Sequence, residues 1–458
     1  MNKALKHRGP DDEGVFRDGA VTLGQRRLMI LDLSDAGHQP MSTPDGRYTM
    51  VFNGEVYNFK DIRKELDYPF RSQTDSEVVL AAWQKWGTES VHRFNGMFAF
   101  AIWDKKEEVL WLVRDRLGIK PLYWAFQDGN LVFSSEVRAL LSSGLVDKTL
   151  DEDSLVDYLR YQTVQTPDTI LKYVKMLKPG STLKISLKDK KPLVSTYWNP
   201  ISSVPQFLDS SIPQNYDSIK EQVRELFYSS VRRRLVSDVP FGAFLSGGID
   251  SSAIVGAMAK VSNRQVKTFN ISFAEEEFSE AKYARHIAKM HNTDHTEIKL
   301  SPNDFLRYLP DALKSMDHPS GDGPNTWLVS KVTKEAGITM ALSGLGGDEL
   351  FAGYPVFKRM VSLTGKQWLW SLPVGIRKIL GASLTSVKPG VSSLKIKELL
   401  LLKDFNFASV YSISRQALMD DQITGLLNRD ILPEHNPVKY LDEIFRSNSS
   451  SPLGGDKR

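Results

Sequence analysis

A small polar loop interrupts an apolar run at residues 244–256, which read FLSGGIDSSAIVG. The preceding PFGAFL predicts a short strand, and the apolar residues after the loop predict a helix that begins near Ser251. Backbone N–H groups at the start of that helix lack partners, and the positive end of the helix dipole favours an anion there. Gly247 and Gly248 permit close backbone approach, while Ser251 and Ser252 carry hydroxyls that can donate to phosphate oxygens. The stretch predicts phosphate binding; the alternative is a plain glycine turn with a serine cap.

A second loop of the same character lies at residues 342–354, which read LSGLGGDELFAGY. It follows the predicted strand ITMAL, just as the first loop follows PFGAFL. In a parallel sheet the carboxyl ends of neighbouring strands meet at one edge, so Asp250 and Asp348 would face the same ligand. Mg²⁺ binds few carboxylates together with phosphate and water oxygens, which makes these two acids candidate metal ligands beside a pyrophosphate. The alternative is that Asp348 and Glu349 only complement the dipole of a helix N-terminus.

The elements that would position both loops belong to the second half of the chain. From residue 219 onward, predicted strands alternate with predicted helices, a pattern typical of an α/β parallel sheet with helices on both faces. Beyond about residue 360 the pattern is mostly helical.

The first half has a different organisation. Up to residue 198, short strands are separated by turn residues, and residues 97–115 and 122–135 each predict an antiparallel hairpin. This half is therefore predicted to be α+β. Residues 199–218 are rich in Pro, Ser and Asn and predict a linker.

The composition of the chain argues against several classes of function. The chain has 458 residues, 41% of them hydrophobic and 25% charged, which is typical of a globular protein with two or three domains. A net charge of +4 argues against nucleic acid as the main partner. No apolar segment has transmembrane length and residues 1–14 lack the apolar core of a signal peptide, so we expect a cytoplasmic protein without a membrane partner. The absence of cysteine excludes disulfides, thiolate metal sites and a cysteine nucleophile within these residues.

The two loops together resemble the synthetase domain of glutamine-hydrolysing asparagine synthetases. A loop of the SGGxDS type alone marks the wider group of ATP pyrophosphatases, and it lacks the lysine of the kinase and GTPase phosphate loop. The first half agrees, because six motifs occur in the order found in that family's glutaminase domain: HRGPDDEG, GQRRLMILD, FNGEVYN, TDSEVV, FNGMFAFAIWD and RDRLGIKPLYW. The resemblance implies an Ntn-hydrolase-like glutaminase domain at 1–198 and an ATP-pyrophosphatase domain with a helical C-terminal part at 219–458.

The resemblance also assigns roles in a glutamine pocket. Arg27 would bind the α-carboxylate of glutamine through a bidentate fork, and Asp75 would hold its ammonium group. Asn53 and Gly54 would form the oxyanion hole. Taken alone, Arg27 is equally a solvated strand residue, and Asn-Gly is equally a hairpin turn. The rest of the pocket wall is expected to consist of Leu28, Met29, Ile30, Leu31 and Glu55.

For the second domain the resemblance implies ATP and Mg²⁺. The phosphates would lie in the cradle formed by Ser246, Gly247, Gly248, Asp250, Ser251 and Ser252, with Asp250 and Asp348 on the metal. The implied reaction activates the side-chain carboxylate of aspartate as β-aspartyl-AMP, which ammonia derived from glutamine then converts to asparagine. The remaining ATP-site positions are expected to be Leu245, Ile271, Ser343 and Gly344.

The chain departs from the family pattern in three ways. Family glutaminases begin with a cysteine nucleophile, whereas this chain begins Met1, Asn2 and contains no cysteine, so we expect no glutaminase activity from it. Its tail, NSSSPLGGDKR, replaces helices that close the synthetase site, so we expect truncation at both ends. Leu345 stands where many members have Glu, which leaves another carboxylate acceptor as an alternative, and the missing nucleophile and closing helices leave a non-catalytic nucleotide-binding remnant as another. The resemblance also allows a homodimer.

Overall fold

The computed structural model describes residues 1–200, 215–273, 280–320, 323–388 and 390–427. Most of the predicted linker and the residues after 427 lie outside this part of the chain.

The first half is built from antiparallel sheets. A six-stranded sheet has the order β11-β10-β6-β5-β4-β3, a three-stranded sheet has the order β8-β7-β9, and β1 pairs with β2. The strands are β1 (Asp12–Asp18), β2 (Val21–Arg27), β3 (Met41–Ser42), β4 (Tyr48–Val56), β5 (Gly96–Asp104), β6 (Val109–Arg114), β7 (Tyr123–Gln127), β8 (Asn130–Ser134), β9 (Val174–Met176), β10 (Ser181–Ser186) and β11 (Leu193–Thr196). The helices are α1 (Phe59–Lys64), α2 (Asp75–Trp86), α3 (Ser90–Arg93), α4 (Val137–Leu141) and α5 (Glu152–Tyr161). Both hairpins predicted from the sequence are present, as β5-β6 and β7-β8.

Helix α2 packs on the large sheet, and the residue that precedes it caps its first turn. Thr74 is the N-cap, because its side chain accepts a hydrogen bond from the N–H of Glu77, and Gly87 ends the helix with φ +57°. Residues 75–83 are all buried, and Trp83 packs edge-on against Phe100 of β5. This packing holds the N-terminal end of α2, which begins at Asp75, beside β4.

The second half contains a parallel sheet in the order β14-β13-β12-β15. Helices alternate with its strands, as the sequence pattern predicts. The strands are β12 (Phe241–Phe244), β13 (Lys267–Phe273), β14 (Asp294–Leu300) and β15 (Met340–Leu342), and the helices are α6 (Tyr216–Arg234), α7 (Ile249–Val261), α8 (Ala281–Met290), α9 (Pro302–Ser315) and α10 (Gly323–Glu335). Ala243, Leu245 and Met258 form part of its core and are fully buried.

The described residues after β15 are helical, as predicted. The helices are α11 (Gly347–Phe351), α12 (Pro355–Thr364), α13 (Val374–Val387), α14 (Val391–Leu401), α15 (Phe407–Arg415) and α16 (Asp420–Leu427). The predicted fold class is thus confirmed, with an α+β first half and a parallel α/β sheet followed by helices. No helix in the described ranges combines the length and apolarity that a membrane span requires.

The chain forms two compact units whose limits cross the predicted domains. The first comprises residues 1–148, 173–318 and 322–344, and the second comprises 149–172, 319–321 and 345–458. Within the second unit, α5 is joined to α16 by Arg160, which is 1% exposed in its side chain and donates to both carboxylate oxygens of Asp420 at 2.8 and 3.0 Å. The division at 198 and 219 stays a prediction.

Candidate functional site

A cavity of about 960 Å³ lies in the first compact unit and gathers several polar residues. Its wall includes Arg27 from the end of β2, Asn53 and Glu55 from β4, Asp75 from the start of α2, and Lys120. The antiparallel pairing of β4 with β5 and the packing of α2 on this sheet bring these residues together. The size suits a small polar metabolite.

Arg27 is buried, with 7% of its surface exposed, so it is not a solvated strand residue. Its Nη1 donates to the carbonyl oxygen of Ser34 at 3.1 Å, and its Nη2 donates to those of Leu31 at 3.1 Å and Asp32 at 2.5 Å. Gly37 lies against the guanidinium, where a Cβ would meet Nη2. These contacts occupy three of the five guanidinium N–H groups, including both on Nη2, and leave the N–H of Nε and one N–H of Nη1.

Two buried acids, Glu55 and Asp75, share the cavity. Burial and, to a smaller extent, the charge of Asp75 raise the pKa of Glu55 to about 7, against the opposing effect of Lys120 and Arg234. Burial also raises the pKa of Asp75 to about 6, opposed by a hydrogen bond that its Oδ2 accepts from the N–H of Val56 at 2.8 Å. The Oε1 atom of Glu55 is buried and has no hydrogen-bond partner among the described residues. Such a pair of acids would stabilise a bound ammonium group.

Asn53 and Gly54 lie within strand β4 and not in a turn, so the hairpin alternative for this pair is wrong. A Cβ on Gly54 would lie 2.2 Å from the carbonyl oxygen of Met97 and 2.6 Å from Cα of Phe98, so the close approach of β5 requires glycine here. Both residues line the cavity.

Four consecutive apolar residues were predicted to complete the pocket wall. Leu28, Ile30 and Leu31 line the cavity, whereas Met29 is not among its lining residues. The N–H of Met29 instead donates to Oδ2 of Asp11 at 2.9 Å.

The polar loop of the second half follows β12 directly and leads into α7. Gly247 has φ +91°, and a Cβ there would lie 2.6 Å from Cβ of Tyr283, so glycine is required for both reasons. The hydroxyls of Ser246 and Ser251 are 3.0 Å apart, and the N–H of Gly248 donates to Oγ of Ser246 at 3.3 Å. Hydrogen bonds within the loop thus stabilise the turn, and the first N–H groups of α7 lie at its end.

Ser252 and Asp250 carry the groups of this loop that remain available. Oγ of Ser252 is buried and has no hydrogen-bond partner among the described residues. The carboxylate of Asp250 forms no hydrogen bond or ion pair within the described ranges. An unpaired buried hydroxyl at a helix N-terminus is the arrangement that an oxyanion would satisfy.

The neighbouring strand end packs against the same loop. A Cβ on Gly344 would lie 2.8 Å from Cβ of Asp250 and from the N–H nitrogen of Ser251, so only glycine fits there. Leu245 is buried beneath the loop, with its N–H donating to the carbonyl oxygen of Phe269 at 2.8 Å. Of the other predicted ATP-site residues, Ile271 lies on β13 and Ser343 follows β15.

Comparison with known proteins supplies the family. Residues 1–198 match the glutamine amidotransferase domain family, and residues 222–448 match the asparagine synthase family. Glutamine-hydrolyzing asparagine synthetase 1 of Bacillus subtilis (strain 168) is 37% identical over 385 residues, which are 83% of this chain and 58% of that protein. Putative glutamine-hydrolyzing asparagine synthetase 2 of Methanocaldococcus jannaschii is 33% identical over 442 residues, which are 90% of this chain and 83% of that protein. The chain belongs to the asparagine synthetase family.

The chain spans 58% of the length of the B. subtilis protein that it matches. The similarity extends beyond proteins named asparagine synthetases. Amidase chyE of Penicillium rubens is 31% identical over 407 residues, which are 84% of this chain and 59% of that protein. The glutamine amidotransferase match agrees with the Ntn-hydrolase-like class expected of the first half.

Two residues of the candidate site were not predicted from the sequence. Lys120 lines the cavity, and burial lowers its pKa while the charge of Glu55 opposes that change. Asp32 organises the carbonyl groups around Arg27. Both residues lie inside motifs quoted above, RDRLGIKPLYW and GQRRLMILD, but a lysine or an aspartate is typical of a solvated loop, so the motifs did not indicate these roles.

Proposed function

We propose that the chain is an ATP-dependent amide ligase that makes asparagine from aspartate, with glutamine or ammonia as the nitrogen donor. The observation that carries the proposal is the loop after β12, where Ser252 presents a buried unpaired hydroxyl beside the free carboxylate of Asp250. In a chain of this family, that loop is best explained as the cradle for the phosphates of ATP.

The reaction proposed at this loop begins with adenylation. The side-chain carboxylate of aspartate attacks the α-phosphorus of ATP, a new carbon–oxygen–phosphorus linkage forms, and pyrophosphate leaves. Ammonia then attacks the acyl carbon of β-aspartyl-AMP and displaces AMP, giving the amide. Adenylation is needed because a free carboxylate offers no good leaving group.

The metal proposed for this reaction is Mg²⁺, with Asp250 as a ligand, while the part of Asp348 in holding it stays a prediction from the sequence. Mg²⁺ takes few carboxylates and its other ligands from phosphates and water, and no described residue occupies the carboxylate of Asp250. Within the described ranges, no group of three or more acidic, His or Cys side chains is arranged to hold a metal without such outside ligands. When bound, the ion would neutralise charge on the pyrophosphate leaving group.

The cavity of the first half is proposed as the glutamine site. Arg27 would bind the α-carboxylate through its charge and a single remaining N–H group, and Glu55 and Asp75 would hold the ammonium group. Asn53 and Gly54 would stabilise the oxyanion of the tetrahedral intermediate in a complete amidotransferase. The cavity wall includes residues 339–341 on and just before β15, which supports passage of nitrogen towards the second half.

A second candidate uses the same adenylation chemistry on a different carboxylate. It is favoured by Leu345, which is 89% exposed at the position where many family members have Glu.

The test is pyrophosphate release from ATP by the full chain with Mg²⁺ and ammonia, with and without aspartate. We expect release that depends on aspartate and is lost in Asp250→Asn, while Asp67→Asn, which changes an exposed aspartate, serves as the matched control. Release with another carboxylate and none with aspartate would support the second candidate. ATP binding without any release would contradict both.

We further propose a cytoplasmic location, where ATP, glutamine and aspartate are available, and a homodimeric assembly. Cell fractionation would test the first proposal, and light scattering after size-exclusion chromatography would test the second.

A further inference from the structure

The loop that surrounds Arg27 is organised by one residue, Asp32. Its carbonyl oxygen accepts from Nη2 of Arg27, and its Oδ2 accepts from the N–H of Gln73 at 2.7 Å. Its Oδ1 accepts from the N–H and the hydroxyl of Ser34 at 3.1 and 2.5 Å. Since Gln73 leads into Thr74 and the start of α2, Asp32 ties the arginine of the cavity to the segment that carries Asp75, one of the two buried acids.

Asp32 holds this position in a conformation that needs support. Its φ is +54°, in the left-handed region that aspartate tolerates but does not prefer. The hydrogen bond from the N–H of Gln73, followed by that from the hydroxyl of Ser34, holds the pKa of Asp32 below its usual range. Its carboxylate is therefore ionised at neutral pH and keeps both acceptor contacts.

The remaining support comes from the other half of the chain. The N–H of Asp32 donates to Oδ2 of Asp238 at 2.8 Å, and the N–H of Asp238 donates to the carbonyl oxygen of Ile30 at 3.0 Å. Asp238 lies between α6 and β12, inside the asparagine synthase match, whereas Asp32 and Ile30 lie inside the amidotransferase match. These two bonds fix residues 30–32 from a site 206 positions later in the sequence.

We propose that Asp238 is a positioning residue for the glutamine site, so that the synthetase half completes the carboxylate clamp of the glutaminase half. This role rests on the proposed glutamine site. Asp238 does not touch the cavity. It acts by holding Ile30 and Asp32, because the carbonyl oxygens of Leu31 and Asp32 accept hydrogen bonds from the Arg27 guanidinium.

Three substitutions of Asp238 separate the effect of its hydrogen-bond acceptor oxygen from the effect of its negative charge. Asp238→Asn keeps an oxygen at the same place and removes the charge, whereas Asp238→Glu keeps the charge and moves the oxygen by one methylene. Asp238→Ala removes both. If the position of the acceptor oxygen matters and its charge does not, Asp238→Asn should keep the glutamine affinity that Asp238→Ala and Asp238→Glu lose.

The experiment is a calorimetric titration of the full chain with glutamine. The chain contains no cysteine, so we expect binding without turnover. We expect Kd to rise about tenfold in Asp238→Ala and Asp238→Glu, as for loss of a charge-assisted hydrogen bond, and to stay within about twofold in Asp238→Asn. The control is Asp67→Ala, which removes an exposed aspartate of the first half and should leave Kd unchanged.

A second measurement follows the loop itself. In hydrogen exchange, a peptide covering residues 28–36 should exchange faster in Asp238→Ala and Asp238→Glu than in the unmodified chain and Asp238→Asn. An unchanged Kd in Asp238→Ala would overturn the positioning role and leave the glutamine site standing. Failure of the unmodified chain to bind glutamine would overturn the glutamine site and the role of Asp238 together.

Discussion

Glutamine binding should expel protons from the cavity, and Glu55 should be their main source. The carboxyl of Glu55 has its pKa raised to about 7 by burial and by the charge of Asp75. A bound ammonium group in contact with it would lower that pKa by about one to three units. The ligand-free pKa is then higher than the bound one, so binding releases protons and affinity rises with pH until it levels off above about 7.

The size of the effect follows from these values. A carboxyl with a pKa near 7 is half protonated near pH 7, so binding should release about 0.5 proton there and about 0.1 near pH 8. The same protonation should weaken glutamine binding about tenfold between pH 8 and pH 6. Asp75, with a pKa of about 6, adds to the release at the lower end of this range.

Calorimetry in two buffers of different ionisation enthalpy measures this proton count directly. We expect Glu55→Gln to reduce the release near pH 7 to the small contribution of Asp75, about 0.1 proton. Glu89→Gln, which changes an exposed glutamate, should leave it unaltered. Glutamine binding near pH 7 with no proton release by the unmodified chain would refute the reasoning.

Three further substitutions test other parts of the structure. Ser252→Ala removes the buried unpaired hydroxyl and should raise the Kd of ATP about tenfold without lowering the melting temperature; lost stability with intact ATP binding would contradict the phosphate role. Gly247→Ala combines a left-handed φ with a steric clash and should destabilise its unit by about 2 kcal/mol or more, so an unchanged thermal melt would speak against the loop geometry. Arg160→Met removes a buried guanidinium that pairs with Asp420 and, at 3.6 Å, with the buried Asp157, and should cost about 3 kcal/mol, seen as earlier unfolding in urea; the prediction fails if the midpoint does not move.

The sequence pattern predicted the sheets because alternating and helical spacings are local properties. PFGAFL becomes β12 at 241–244, and the helix expected near Ser251 begins at Ile249. The two loops could be placed at strand ends for the same reason. Glycine at 247 and 344 is required by close packing that depends on Tyr283 and Asp250, which the sequence does not place beside them.

Other features depend on contacts between distant residues and could not be predicted. The bond from Asp32 to Asp238 spans 206 positions, and although Asp32 ends the motif GQRRLMILD, nothing in the sequence indicates its contact with Asp238. Lys120 enters the cavity only because the chain after β6 turns back towards β4. Asn53 and Gly54 fit a turn by type, yet the length of β4 carries them inside a strand.

The pairing of Arg160 with Asp420 determines when the second compact unit can fold during translation. These residues are 260 positions apart, so at about 5–20 residues per second α5 leaves the ribosome roughly 13 to 50 seconds before α16 exists. During that interval the guanidinium of Arg160, which is buried in the finished protein, has no access to the carboxylate of Asp420. The second compact unit therefore cannot finish folding until α16 has been synthesised, and until then α5 exposes a charged side chain that the folded unit buries.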